Sequence, residues 1–112
     1  MPVRNLLPRL TVILLTIILF AIAPNAWSAS FTIVDGQFVT SQQTLLDPGD
    51  TGTINSGGDL TTSVIAIATS ASNITVLNNG AITTSGYNAY GIDSRSNSGT
   101  NTFTNSGTIT TS

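Results

Sequence analysis

An internal repeat constrains the fold of this chain more than any other feature. Residues 78–85 and residues 105–112 both read N-x-G-x-I-T-T-S, at an offset of 27 positions. A looser copy at residues 52–57 begins with a glycine that precedes Gly80 by 28 positions. A fixed period in the range of about 20 to 50 residues is typical of proteins built from stacked units. The repeat therefore predicts an array of similar units with a period of 27–28 residues.

The composition of these units favours β-strands over helices. Good helix formers become scarce after position 46, where Thr, Val and Ile alternate with Gly and Asn. Segments 31–34, 37–40 and 63–67 each have the composition of a strand. Asp35 and Gly36 separate the first two segments as a tight hairpin turn would, and the D-P-G-D sequence at residues 47–50 predicts a second turn.

Strand-like units without helical signal predict an all-β fold, a parallel β-solenoid (β-helix) of about three coils. We expect Gly80 and Gly107 to stack at a corner, where a residue without a Cβ atom can turn. Asn78 and Asn105 are expected to form an amide ladder. Three inward columns are predicted, namely Ile54 with Ile82 and Ile109, Val76 with Phe103, and Val64 with Ile92.

The N-terminus predicts export. Arg4 and Arg9 precede an apolar-rich stretch over residues 10–23, and small residues then occupy positions 26 and 28. These three parts, in this order, are typical of a secretory signal peptide over residues 1–28, cleaved after Ser28. A permanent membrane anchor is the alternative, but this stretch is shorter than the roughly 20 residues that span a bilayer.

Residues 29–112 are acidic and nearly free of cations. They contain five Asp and one Arg, no Lys, Glu, His or Cys, and so carry a formal net charge of −4. Such a chain cannot neutralise phosphates, which argues against nucleic-acid binding. Disorder is the alternative for so polar a segment. However, 21 apolar residues other than Ala are spaced through it, and disordered chains typically have fewer.

The missing residue types argue against an enzyme. Without His and Cys, the Ser-His-Asp and Cys-His arrangements are impossible and zinc lacks its usual ligands. Paired carboxylates remain as an alternative, but four of the five Asp adjoin Gly or Pro as in turns, and Asp93 is expected at a coil corner. Residues 57–60 resemble half of a calcium-binding nonapeptide with the wrong spacing. No catalytic, cofactor-binding or metal-binding residue is predicted, and no cofactor.

Residues 105–112 and 80–92 resemble the passenger repeats of bacterial autotransporters, in which N-S-G-x-I and A-x-G-I phrases recur along a β-helix. The resemblance covers residues 30–112 and implies an N-terminal strand or cap-like segment at 29–50 followed by incomplete solenoid repeats at 51–112. The chain departs from the family pattern because no translocator barrel follows Ser112. The resemblance therefore implies an N-terminal passenger fragment, with an open solenoid edge through which the chain is expected to self-associate.

Two non-catalytic functions are compatible with these features. The first is a structural or adhesin-type passenger, periplasmic or secreted as it stands and displayed at the outer membrane within a longer parent. The second is an ice- or carbohydrate-binding solenoid, indicated by the Thr pairs at 83–84 and 110–111, although Asn55 and Ser56 stand at the expected upstream position. Tyr87 and Tyr90 lie in a loop-like stretch at 86–99, where they either recognise a host-surface or carbohydrate ligand or pack against a coil.

Overall fold

The computed structural model describes residues 30–112, so the predicted signal peptide and its cleavage site lie outside the described residues. Within this range the chain forms strands and turns without a helix, and every strand pair is parallel. The strands are β1 (Phe31–Ile33), β2 (Phe38–Val39), β3 (Gln43–Leu45), β4 (Thr51–Ile54), β5 (Asp59–Thr62), β6 (Ile67–Thr69), β7 (Thr75–Asn78), β8 (Ala81–Thr84), β9 (Ile92–Ser94), β10 (Thr102–Asn105) and β11 (Thr108–Thr111).

The strands form three sheets that run along a common axis. Sheet A has the order β1-β4-β7-β10, sheet B the order β2-β5-β8-β11, and sheet C the order β3-β6-β9. Each coil therefore contributes one strand to each sheet, and each strand pairs with its counterpart in the next coil. Three coils and two strands of a fourth are present, which confirms the predicted all-β parallel solenoid.

The hydrophobic core lies between the three sheets. Alternate residues of each strand point inward, as the two-residue period of a β-strand requires. Val39, Leu60, Ile82 and Ile109 follow one another in register along sheet B. Leu60 and Ile82, in the second and third coils, have no exposed surface. Each coil thus buries the apolar side chains of its neighbour, which is how a repeat with little apolar content forms a core.

The register of the two C-terminal coils is as predicted. Phe103 pairs with Val76, and Ile109 pairs with Ile82, at the offset of 27 residues seen in the sequence. Gly80 and Gly107 also stack as predicted, but neither has a positive φ angle. The reason for glycine is close approach of the coils, since a Cβ atom on Gly107 would collide with the carbonyl oxygen of Gly80.

The predicted register of the upstream coils is wrong. Ile54 belongs to sheet A, where it pairs with Asn78, and it is Leu60 that pairs with Ile82. The offset between these two coils is therefore 22 residues in sheet B, from Leu60 to Ile82, and not 28. The physical reason is that residues 52–54 lie in a strand of sheet A, β4, whereas residues 80–82 lead into a strand of sheet B, β8. Matching Gly52 with Gly80 therefore aligned strands of two different sheets.

A sequence signal for the correct register was present. The pattern G-x-[LI]-T-T-S occurs at residues 58–63, 80–85 and 107–112, once in each of three successive coils. The glycines of the first two copies, Gly58 and Gly80, stack as this register requires. A Cβ atom on Gly80 would collide with the carbonyl oxygen of Gly58. The three copies do not share a constant period, because the corners vary in length from coil to coil.

The predicted column of Val64 with Ile92 is also wrong. Ile92 pairs with Ile67, while Val64 lies in a bend and is half exposed. Of the strand predicted at residues 63–67, only Ile67 belongs to a strand, β6. The bend carries the chain from sheet B to sheet C, so its apolar composition does not mark a ladder position.

The two predicted turns differ in outcome. At residues 47–50 the backbone N–H of Asp50 donates to the carbonyl of Asp47 at 3.1 Å, and Gly49 has a φ of 87°, which confirms a turn that requires glycine. Asp35 and Gly36 also form a turn, and Gly36 has a φ of 76°. The hairpin is wrong, because the strands on either side, β1 and β2, lie in different sheets.

Candidate binding surfaces

The outer face of sheet A carries two columns rich in threonine. Thr51, Thr75 and Thr102 are in register in one column. Two residues further along each strand, the second column contains Thr32, Thr53, Leu77 and Thr104. Neighbouring strands lie about 4.8 Å apart, and alternate residues of one strand about 6.7 Å apart. The columns therefore form a regular array of hydroxyl and methyl groups that is interrupted only by Leu77.

The outer face of sheet B carries a single threonine column. Thr61, Thr83 and Thr110 are in register and point outward, whereas Thr62 and Thr84 point into the core and are buried. The upstream partner of Thr83 is thus Thr61, and the sequence-based match to Asn55 and Ser56 is wrong. The Thr-Thr pairs do not form a double column on the surface, because adjacent strand residues face opposite sides of a sheet.

Sheet C bears a groove with a volume of about 260 Å³ on its outer face. Its floor follows the outward column of Thr44, Ala68 and Asp93, which are in register on the three strands of the sheet. Because Ala68 is small, the middle strand leaves a recess between its neighbours. The groove is lined by Thr44, Leu46, Ile65, Ala68, Thr69, Ser70, Asp93 and Arg95.

An ion pair stands at one end of this groove. Arg95 Nη2 lies 2.8 Å from Asp93 Oδ2, and Arg95 Nε donates to the same oxygen at 2.8 Å. The Arg95 side chain is 73% exposed and that of Asp93 18%. The hydrogen bond to Asp93 and its negative charge raise the pKa of Arg95, with a smaller contribution from Tyr90. Arg95 is the only cationic residue in the range 30–112.

Asp93 does not lie at the predicted coil corner. It is the central residue of β9, within the stretch 86–99 that sequence analysis treated as a loop. Asp59, predicted in a turn, is likewise a strand residue, and it accepts a hydrogen bond from Thr61 Oγ1 at 2.8 Å. Asp59 belongs to sheet B and Asp93 to sheet C, so these two carboxylates are not adjacent residues of one sheet.

The two tyrosines lie at the corner between sheets B and C. Tyr87 is 97% exposed and Tyr90 51% exposed. The carbonyl oxygen of Tyr90 accepts a hydrogen bond from the N–H of Ala66 at 2.9 Å, which places Tyr90 next to the segment containing Ile65. Tyr87 therefore does not pack against a coil, which was one of the two sequence-based interpretations.

Within residues 30–112, no cluster of three or more Asp, Glu, His or Cys side chains is arranged to hold a metal ion. The same range contains no helix long and apolar enough to cross a bilayer.

In comparisons with known proteins, no protein-family model, no curated protein and no solved structure matches this chain.

Proposed function

We propose that this chain is an exported, non-catalytic structural or adhesin-type passenger segment of an autotransporter-like surface protein. The observation that carries the proposal is the parallel stack of coils with a repeated core, a fold compatible with a repeat-type passenger. A solenoid extends a surface along one axis while each coil contacts only its neighbours. That property suits a stalk or an adhesive surface.

The composition of residues 29–112 supports the non-catalytic part of the proposal. The described coils depend on main-chain pairing and a narrow apolar core, without any cysteine in the chain. Their outer faces carry mainly hydroxyl groups, and residues 29–112 have a formal net charge of −4. The same residues contain no His, Cys or Lys. The side chains that remain to act as a nucleophile or base are those of Ser, Thr, Tyr and Asp.

Export is tested by expressing the full chain in a Gram-negative host and fractionating the cells. We expect the product in the periplasm or the medium, with an N-terminus at Ala29 by mass spectrometry. An Arg4→Glu, Arg9→Glu variant should reduce export, because the charges preceding the apolar stretch are reversed. An uncleaved product that stays in the inner membrane would contradict the proposal.

Adhesion is tested separately by fusing the full chain upstream of a heterologous translocator and displaying it on bacteria. Cells displaying the chain should attach to epithelial or glycan-coated surfaces more strongly than cells displaying a non-adhesive spacer of equal length. Equal attachment in the two cell populations would leave only the structural role. Failure to reach the surface, measured by protease accessibility on intact cells, would argue against a passenger.

The threonine array of sheet A favours an ice- or carbohydrate-binding solenoid as a second candidate function. Both columns consist of residues that combine a hydroxyl with a methyl group, in register over the coils. Leu77 is the exception, since it occupies one position of the second column. Thermal hysteresis in the purified protein tests ice binding. A Thr75→Tyr variant should abolish hysteresis, whereas Thr83→Tyr on sheet B should not.

A further inference from the structure

We propose that the groove on the outer face of sheet C binds a neutral saccharide chain, with Asp93 and Arg95 bonding its hydroxyl groups. The inference rests on the carbohydrate-binding alternative of the proposed function, but on a different observation, the groove with its ion pair. The groove lies on sheet C, apart from the threonine columns of sheets A and B, whose regular spacing bears on ice binding.

The shape of the groove fits a sugar ring. Its volume of about 260 Å³ is slightly below the range of about 300 to 1,000 Å³ typical of small-molecule sites. Ala68 forms a low floor, and the apolar side chains of Leu46 and Ile65 line the groove beside it. The C–H faces of a pyranose ring are apolar, so this floor can cover one face of the ring while its hydroxyl groups point to the rim.

The ion pair offers both kinds of hydrogen-bonding group that a hydroxyl needs. Both contacts of the Arg95 guanidinium end on Asp93 Oδ2, which leaves Asp93 Oδ1 as an acceptor at the groove. Arg95 has five N–H donors in a planar fork, and most of its side chain faces solvent. A sugar hydroxyl can donate a hydrogen bond to the Asp93 carboxylate and accept one from the Arg95 guanidinium. Charge-assisted hydrogen bonds of this type are stronger than neutral ones.

Charge favours a neutral ligand over an acidic one. Asp93 already neutralises Arg95, and the rest of residues 29–112 adds four further Asp residues. An anionic polysaccharide would meet no unpaired cation in this range and would be repelled by the net negative charge.

The test is affinity electrophoresis of the protein purified after expression of the full chain. The gels contain dextran, hydroxyethylcellulose or galactomannan as neutral probes, or polygalacturonate as an acidic one. We expect retardation by at least one neutral probe and none by polygalacturonate. Arg95→Ala should weaken the retardation about tenfold, the effect of losing one charge-assisted hydrogen bond. Ala68→Gln should abolish it by filling the floor.

Two further variants make the result specific. Arg95→Lys keeps the charge but loses the planar fork, so binding should weaken. Asn79→Ala removes an exposed polar side chain at the corner between sheets A and B, away from the groove, and should leave binding unchanged. Circular dichroism of each variant checks that the fold is intact.

The outcomes separate this inference from the proposed function. Retardation that Arg95→Ala and Ala68→Gln leave unchanged would overturn the groove as the site, while carbohydrate binding itself would stand. Retardation by polygalacturonate alone would overturn the neutral ligand. If none of the neutral probes retards the protein, the inference is wrong, whereas export and surface display, measured independently, are unaffected.

Discussion

The side-chain nitrogen of Asn78 donates a hydrogen bond to the side-chain oxygen of Asn105 across 2.8 Å, joining equivalent positions of two successive coils. The same nitrogen donates to the carbonyl oxygen of Thr108 at 3.1 Å, and Asn78 Oδ1 accepts from the N–H of Gly80 at 3.2 Å. Asn78 is 1% exposed. The amide ladder predicted from the repeat therefore also closes the corner between sheets A and B.

Replacing Asn78 should destabilise the stack. Asn78→Ala removes the three hydrogen bonds of a buried side chain, and we expect a loss of about 1 to 3 kcal/mol in the free energy of unfolding. Asn79→Ala is the matched control, because the adjacent residue is exposed. Urea denaturation followed by circular dichroism measures both. Equal stabilities of the two variants would show that the ladder contributes nothing.

The glycine column should tolerate no side chain. In Gly80→Ala the added Cβ atom would collide with the carbonyl oxygen of Gly58 and lie 2.6 Å from that of Asn55. Since both atoms belong to the backbone, the coils must separate, at a cost of about 3 kcal/mol.

Gly49→Ala provides the comparison for this glycine. It has a φ of 87° with no atom near the added Cβ, so it should cost only about 1 kcal/mol of backbone strain. The thermal midpoint should accordingly fall further in Gly80→Ala than in Gly49→Ala. The reverse order would refute close approach as the reason for the column.

One column of sheet B offers a matched pair of isoleucines. Ile82 has no exposed surface, whereas Ile109, its partner one coil further on, is 40% exposed. Ile82→Ala should cost about 2 to 5 kcal/mol through lost burial and the cavity that remains. Ile109→Ala should cost about 1 kcal/mol, because less apolar surface is removed from solvent there. Chemical denaturation of both variants tests the ordering, and similar losses would contradict the described burial.

The polypeptide of residues 29–112, studied by itself, should self-associate. Within the described range β10 and β11 occupy the edges of sheets A and B, and Phe103 is 41% exposed. Unpaired parallel strands next to exposed apolar side chains favour pairing with another chain. Sedimentation velocity over a series of concentrations should show larger species as concentration rises. A monomer throughout, with a sharp and concentration-independent thermal transition, would contradict this.

The part of the fold that sequence analysis predicted correctly depends on local properties. Strand-forming composition and the repeat shared by residues 78–85 and 105–112 were enough for the all-β class, the parallel winding and the pairing of Ile82 with Ile109. Both coils have the same two-residue corner between sheets A and B. Their constant offset in sequence therefore equals their register in space.

The candidate site could not be predicted in the same way. Asp93 and Arg95 are close in sequence, but Thr44, Leu46 and Ile65 reach the groove from two other coils. Sequence analysis assigned Asp93 to a corner because nothing local marks β9 as the strand that continues β3 and β6. Only the pairing of Ile92 with Ile67 reveals it.

By itself, the sequence determined that the chain is built from strands, that its units repeat, and that Asn and Gly recur at the corners. Tertiary structure decided which units pair, which member of each Thr-Thr pair faces solvent, and where a groove forms. The physical reason is that strand propensity and turn chemistry act within a few residues. Register is determined by hydrogen bonds between coils, and corners that differ in length by a few residues change the sequence offset from one coil to the next.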